Sequence, residues 1–327
     1  MSNKTEHLPL GGYFSLELPM KTKKHFHKKA ICLNTGRNAL EYILRTRPYV
    51  RHLLIPYYIC DVVLEPLNKL GITYEFYNIG ENLGCDVQKK YDKHIALLYV
   101  NYFGIKTDEA VRLNCMFGDS LILDNTQAFY MPEIPGLSSF NSARKFFGVS
   151  DGAYLYTNVE LNVELEQDIS WNRCTHLLKR LDTGPESGYM DFKAMDMALN
   201  NQPIKKMSNL TSAILAQIDY ECVRQCRNEN FTFLHQHLDS MNRLRINRKQ
   251  INGPLAYPFW HKDGENIRNF LIENKVYVPT YWPNVVKYVS NDSLEFDLTL
   301  NLLALPIDQR YTSHDMQQII SLIKEVI

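Results

Sequence analysis

From residue 30 onward, short apolar runs alternate with segments whose apolar residues recur every three or four positions. The run 30–33 leads through Asn34-Thr35-Gly36 into 37–47, where Leu40, Ile43 and Leu44 share one helical face. Strand, turn and helix is the predicted order. It repeats at 52–56 and 61–70, at 73–79, at 95–100 and 107–115, at 121–124, and at 153–157. The runs are apolar almost without interruption, as in strands covered on both faces, so the fold class expected is α/β, a large mostly parallel sheet with helices on both faces. Ligands of such sheets gather at the carboxyl ends of the strands.

Beyond about residue 160 the pattern changes. Residues 159–201 are compatible with helix around an irregular middle, Thr183-Gly-Pro-Glu-Ser-Gly188, and 207–238 predicts one or two long amphipathic helices. Shorter units follow at 255–260, 266–274, 276–279 and 293–305, with a final helix at 313–327. A large α/β domain over 1–220, including an N-terminal arm, and a smaller C-terminal α+β domain over 221–327 are expected.

Composition narrows the function classes. Of 327 residues, 45% are hydrophobic and 22% charged, as in an ordinary globular protein. Lys plus Arg and Asp plus Glu each total 36, so no net charge steers the chain toward nucleic acid. The seven Cys are scattered, which argues for free thiols in a reducing cytoplasm. The N-terminus lacks the apolar stretch of a signal peptide, and the longest nearly uncharged apolar run, 95–105, is about half a bilayer span, so no membrane partner is expected. The basic cluster Lys21 to Lys29 is expected to be a solvated surface segment. The common dinucleotide and P-loop cradles, H-E-x-x-H and G-x-S-x-G are missing. Cys222 and Cys226 could hold half a zinc site, but no second ligand pair lies nearby, and no metal is expected.

Three segments carry candidate chemistry. Asn34-Thr35-Gly36-Arg37-Asn38 opens a helix, where free N–H groups, a small Gly and a hydroxyl suit a phosphate; alone, it reads more readily as an ordinary N-cap. Asp124 ends an apolar strand in Leu121-Ile-Leu-Asp124-Asn-Thr-Gln127, where its charge either caps a turn or fixes a proton on a heteroaromatic nitrogen. Lys145 lies in Phe140-Asn-Ser142-Ala-Arg144-Lys145-Phe-Phe-Gly148, ahead of Asp151-Gly152. A nucleophilic amine needs desolvation or nearby positive charge, and Phe146, Phe147 and Arg144 are the expected sources. Together the segments meet the needs of pyridoxal 5′-phosphate: phosphate anchor, ring-nitrogen partner and aldehyde-binding lysine.

On these residues the chain resembles the DegT/DnrJ/StrS-type sugar aminotransferases, which are fold-type I pyridoxal-phosphate enzymes. The resemblance rests on Thr35-Gly36-Arg37-Asn38-Ala39-Leu40, Asp124-x-x-Gln127, Lys145 followed by Gly152, Lys206-Met207-Ser208 with Ala213 and Gln217, and Leu305-Pro306. It implies Lys145 as Schiff-base lysine and proton shuttle, Asp124 as partner of the pyridinium nitrogen, and Gln127 near the ring hydroxyl. It also implies backbone donors at Gly36 and Arg37 beside Thr35. The residue covering the ring is expected among Tyr57, Tyr58 and Cys60, with Tyr58 the first candidate. Two departures stand out: Phe140 replaces the family's usual Ser, with Ser142 expected to take over its phosphate contact, and Ile204 with Lys206 replaces an Asn and an Arg. The resemblance further implies a homodimeric aminotransferase acting on glutamate and a nucleotide-linked keto-sugar in surface glycan synthesis. Alternatives are a pyridoxal-phosphate reaction on a small amino acid or free sugar, and a non-catalytic ligand-binding relative.

Overall fold

A computed structural model describes residues 14–18, 25–88 and 92–327. The N-terminal residues 1–12 and Lys21 to Lys24 of the basic cluster lie outside that set. Within it the apolar runs become strands: β1 (Ile31–Leu33), β2 (His52–Pro56), β3 (Thr73–Tyr77), β4 (Ile95–Val100) and β5 (Leu121–Asp124). Two more, β6 (Ser138–Ser142) and β7 (Ala153–Tyr156), complete a seven-stranded sheet in the order β1-β7-β6-β5-β4-β2-β3. The pairs β3–β2, β2–β4, β4–β5 and β5–β6 are parallel, while β7 runs antiparallel to both β6 and β1. Strands β1, β2, β4, β5 and β6 therefore end on one edge of the sheet, which is where a ligand site is expected.

Strand β6 has no apolar run to announce it. Its sequence, Ser-Ser-Phe-Asn-Ser, is almost wholly polar, yet all five residues are buried because it lies between β5 and β7. Neighbours supply some of the missing satisfaction: Arg47 Nη2 donates to Ser138 Oγ at 2.7 Å. Helix α1 (Gly36–Thr46) follows β1, α2 (Leu64–Leu70) follows β2 after a 3₁₀ turn, and α3 (Thr107–Phe117) follows β4.

The second half departs from the periodicity in several places. Residues 159–170 are not helical; helix begins only at α4 (Thr175–Thr183) and resumes at α5 (Tyr189–Ala198). The 207–238 stretch forms two helices, as one of the two expected arrangements, α6 (Asn209–Leu215) and α7 (Tyr220–Leu238), each started by a side-chain cap, Ser208 and Asp219 respectively. Residues 276–279 are irregular, and 293–305 divides into α9 (Leu294–Asn301) and β9 (Leu302–Leu305). Strand β9 pairs antiparallel with β8 (Tyr257–Trp260), flanked by α8 (Gly264–Glu273) and α10 (Ser313–Val326). One continuous apolar cluster runs from Leu33 through the sheet to Ile323.

The basic cluster is not simply a solvated segment. His27 is buried, with Nε2 at 2.8 Å from the Phe129 carbonyl and Nδ1 at 2.8 Å from the Tyr156 hydroxyl, and burial pushes its pKa down to about 4.

The turn into β7 is fixed from the far side of the sheet. Asp151, fully buried, accepts from Ser208 N–H at 2.8 Å, from Ser208 Oγ at 2.7 Å and from Thr211 Oγ1. Gly152 has φ +111° and a Cβ there would meet Thr211 Cγ2 at 3.0 Å, so only glycine fits. The Lys206-Met207-Ser208 motif thus acts structurally, since Ser208 caps α6 and holds Asp151, while Met207 packs beneath Gly152. Asp151→Ala strands these buried donors, and a loss of about 3 kcal/mol of stability is expected, read as a lowered urea midpoint at unchanged slope.

Candidate active site

The site assembles on the carboxyl edge of the sheet. Thr35 is the N-cap of α1: its hydroxyl accepts from Asn38 N–H at 3.1 Å and donates to Asn38 Oδ1. That engagement leaves Gly36 and Arg37 as the first-turn N–H groups that neither helix nor cap can satisfy. The side chain of Arg37 is held elsewhere, by Glu65 at 2.8 Å and Asn200 at 2.7 Å, so only its backbone is offered. A Cβ on Gly36 would meet Thr126 Cγ2 at 3.3 Å, which brings the opening of α1 against the turn that follows β5. This is a cradle of the kind that accepts a phosphate.

Asp124 ends β5 and is 5% exposed. Its Oδ1 accepts from Thr126 N–H at 2.8 Å. Desolvation pushes its carboxyl up to about 6, while the Thr126 hydrogen bonds and the charge of Lys145 pull the other way. Three residues on, Gln127 is buried with its Oε1 accepting from Phe103 N–H at 2.7 Å, which fixes the amide and leaves Nε2 buried and without a partner among the described residues. A buried carboxylate without a tight cation and a buried donor without an acceptor both suit a ligand carrying a protonated ring nitrogen and an anionic oxygen.

Lys145 closes the short 3₁₀ turn after β6 and is exposed. The sources of charge and desolvation expected from sequence point elsewhere. Phe146 and Phe147 are buried in an aromatic cluster with Phe129, and Arg144 is paired to Asp196 at 2.8 Å. What surrounds the lysine instead is Asp124, Cys60 and Asp196, each of which feels its charge, and the ring of Tyr281. Ser142 precedes the turn, nearly buried, without a capping hydrogen bond.

The ring-covering candidate needs correction. Tyr58 is fully buried, edge-on to Trp282 at 5.1 Å and tilted on Tyr102 at 5.7 Å, so its ring has no face toward the cleft. Tyr57 stacks on Phe76 at 4.9 Å. Cys60 is the turn residue directed toward the site: burial pushes its thiol up, and the positive charges of Lys145 and Arg37 draw it back.

Three contributors went unseen in the sequence. Arg227 of α7 is 1% exposed and donates to the carbonyls of Phe146 at 3.4 Å and of Pro254 and Leu255 at 3.1 Å. Gln309 Nε2 adds a second donor to the Phe146 carbonyl at 2.9 Å, so two residues of the C-terminal third brace the peptide next to Lys145. Tyr281 is the third. Only a buried, unpaired arginine in α7 could have hinted at this, and its pattern in sequence is that of any amphipathic helix.

The architecture is a seven-stranded, mostly parallel sheet with helices, joined to a small antiparallel two-stranded sheet. No family model and no curated protein matches the chain. Among solved structures it is similar to a DegT DnrJ EryC1 StrS aminotransferase from Brucella abortus, at 15% identity and TM-score 0.62, over 90% of this chain and 85% of that one. Spr1654 of Streptococcus pneumoniae, described as a sugar aminotransferase and solved in its PLP form, aligns at 14% identity and TM-score 0.62 over 91% and 88%. DesI, solved in the presence of its TDP-sugar product, aligns at 12% and 0.62 over 90% and 80%. The chain therefore has the fold of these sugar aminotransferases across nearly its whole length.

The raised carboxyl of Asp124 gives a signed prediction. A folded-state value above the ordinary 3.8 means that folding favours the protonated form. Its contribution is full below about pH 4 and lost as pH rises through about 6, a difference of about 3 kcal/mol. Ligand-free Asp124→Asn keeps the Thr126 hydrogen bond without the charge. It is expected to melt about 5 °C above the parent at pH 8, with the gap closing toward pH 4 in a differential scanning series.

Proposed function

We propose that this protein is a pyridoxal 5′-phosphate-dependent aminotransferase that moves an amino group from glutamate to a keto-sugar carried on a nucleotide, in surface glycan synthesis. The observation that carries the reading is the buried carboxylate of Asp124 on the same sheet edge as the Lys145 amine, whose positive charge acts on that carboxyl. Bound there, the cofactor would supply an aldehyde for an amine and a protonated ring that withdraws electrons from the substrate carbon.

The chain's own residues divide the remaining work. Asp124 holds the proton on the ring nitrogen, and its burial makes that charge-assisted hydrogen bond strong. Gln127 Nε2 donates to the ring oxygen. The Gly36 and Arg37 N–H groups bind the phosphate with the Ser142 hydroxyl, at the positive end of α1. Lys145 would hold the cofactor through its amine, and that amine is the group placed to move a proton at the substrate carbon. Substrate chemistry is extended from the relatives: DesI with its TDP-sugar supports a nucleotide-linked acceptor.

A homodimer is part of the reading. Between 159 and 197 the surface exposes large apolar side chains, among them Trp171 at 73%, Leu181 at 84% and Met190 at 72%, a concentration that suits burial against a second copy. A cytoplasmic setting is supported by seven cysteines that are all free. No helix among the described residues is long and apolar enough to cross a membrane.

Purified protein incubated with pyridoxal 5′-phosphate is expected to gain visible absorbance, and borohydride to fix the cofactor on the peptide containing Lys145. Lys145→Ala is expected to abolish both. In thermal-shift screening, nucleotide-sugars should raise Tm where free sugars do not. Stabilisation by small amino acids or free sugars alone favours a different pyridoxal-phosphate reaction, and a protein that takes up no cofactor contradicts the proposal.

A further inference from the structure

The proposed reaction needs the Lys145 amine in one place, yet among the described residues Nζ makes no hydrogen bond or ion pair. Its one aromatic contact is the face of Tyr281, with the ring centroid 5.8 Å away. The titratable groups around the amine are Asp124 from β5, Cys60 from the turn after β2, and Asp196 from α5, the last paired with Arg144. None of them is hydrogen-bonded to it.

Tyr281 is not a loose surface ring. It sits edge-on to Phe103 at 5.8 Å and to Trp282 at 5.2 Å. Trp282 is buried against Tyr58 and Tyr102, and Asn284 Nδ2 donates to the Ile59 carbonyl at 2.8 Å. Segment 281–284 is therefore docked on the turns after β2 and β4. Phe103 is shared: its side chain abuts Tyr281, and its N–H fixes Gln127. Tyr58, one of three candidates for the ring cover, forms part of the floor under Trp282.

We propose that Tyr281 is a positioning residue for Lys145: its ring face holds the ammonium at the mouth of the cleft by a cation–π contact. This goes beyond the aminotransferase reading and rests on it only for what the amine does afterwards. The contact lies within the roughly 6 Å reach of such interactions, and at an exposed lysine they are modest.

The test uses ligand-free, full-length protein. Lysines are reductively methylated with formaldehyde and a borane across a pH series, and the Lys145 peptide is quantified by mass spectrometry in the parent, Tyr281→Phe and Tyr281→Leu. Loss of the ring is expected to lower the pH midpoint of Lys145 labelling by about half a unit, or about threefold faster labelling near neutrality. Phe keeps the ring face and is expected to follow the parent. Asn284→Ala, which only unpins the segment, should shift the midpoint in the same direction by less and serves if the Leu variant fails to fold. Midpoints unmoved in the Leu variant, or in Asn284→Ala where that variant stands in for it, overturn the proposal, as does a Phe variant that behaves like Leu. Repeating the labelling with pyridoxal 5′-phosphate separates the two claims. Cofactor protection of Lys145 tests the aminotransferase reading, whereas the midpoint comparison needs no cofactor.

Discussion

A carboxylate that the fold takes out of water at the end of β5 sets the terms for everything around it. Asp124 has only Thr126 as a hydrogen-bond donor and no ion-pair partner among the described residues, so the ligand-free protein carries an ionised group it does not fully stabilise near neutral pH. Such a group makes sense where a cation is to be held. Chain topology places the other requirements on the same edge. Parallel β5 and β6 deliver Asp124 and the Lys145 turn side by side, and β1 delivers the N-terminus of α1 against Thr126.

The C-terminal third acts on this edge through backbone rather than through reactive side chains. Arg227 and Gln309 both donate to the Phe146 carbonyl, so the peptide following the lysine is fixed from outside the sheet. Burial pulls the Arg227 guanidinium down to about 10 against the opposing charge of Asp308, and its N–H groups are satisfied by hydrogen bonds to carbonyls. Asp151 plays the matching part on the other side, tying the start of β7 to the cap of α6. Lys145 is thus carried on a turn held at both flanks while its own side chain remains exposed, a division suited to an amine that must reach and withdraw.

Much of this was legible in the sequence because the strands that carry the site are apolar runs, and their ends mark the edge. Thr35 and Gly36 could be picked out just after one such run and Asp124 and Gln127 at the close of another, whereas Lys145 follows the polar β6 and was singled out by its neighbours and by the resemblance. Three things were not legible. Strand β6 is polar in sequence and buried by its neighbours, a tertiary effect that no periodicity records. Phe146 and Phe147 flank Lys145 in the chain, but a turn sends their side chains into a separate cluster, so adjacency did not translate into environment. Tyr58 was the natural ring cover by type, but its complete burial removes it, and Tyr281 reaches the lysine from a part of the chain with no sequence signal linking it to the site.

The central claim concerns the charge at one position, so the most direct measurement is the titration of that carboxyl. Carbon-13 NMR of the Asp124 side-chain carboxyl, assigned by comparison with Asp124→Asn, should give a midpoint near 6 in the ligand-free protein. With pyridoxal 5′-phosphate bound, it should fall well below the ordinary aspartate value. A midpoint in the usual aspartate range without ligand, or one that does not move when the cofactor is added, would contradict the account.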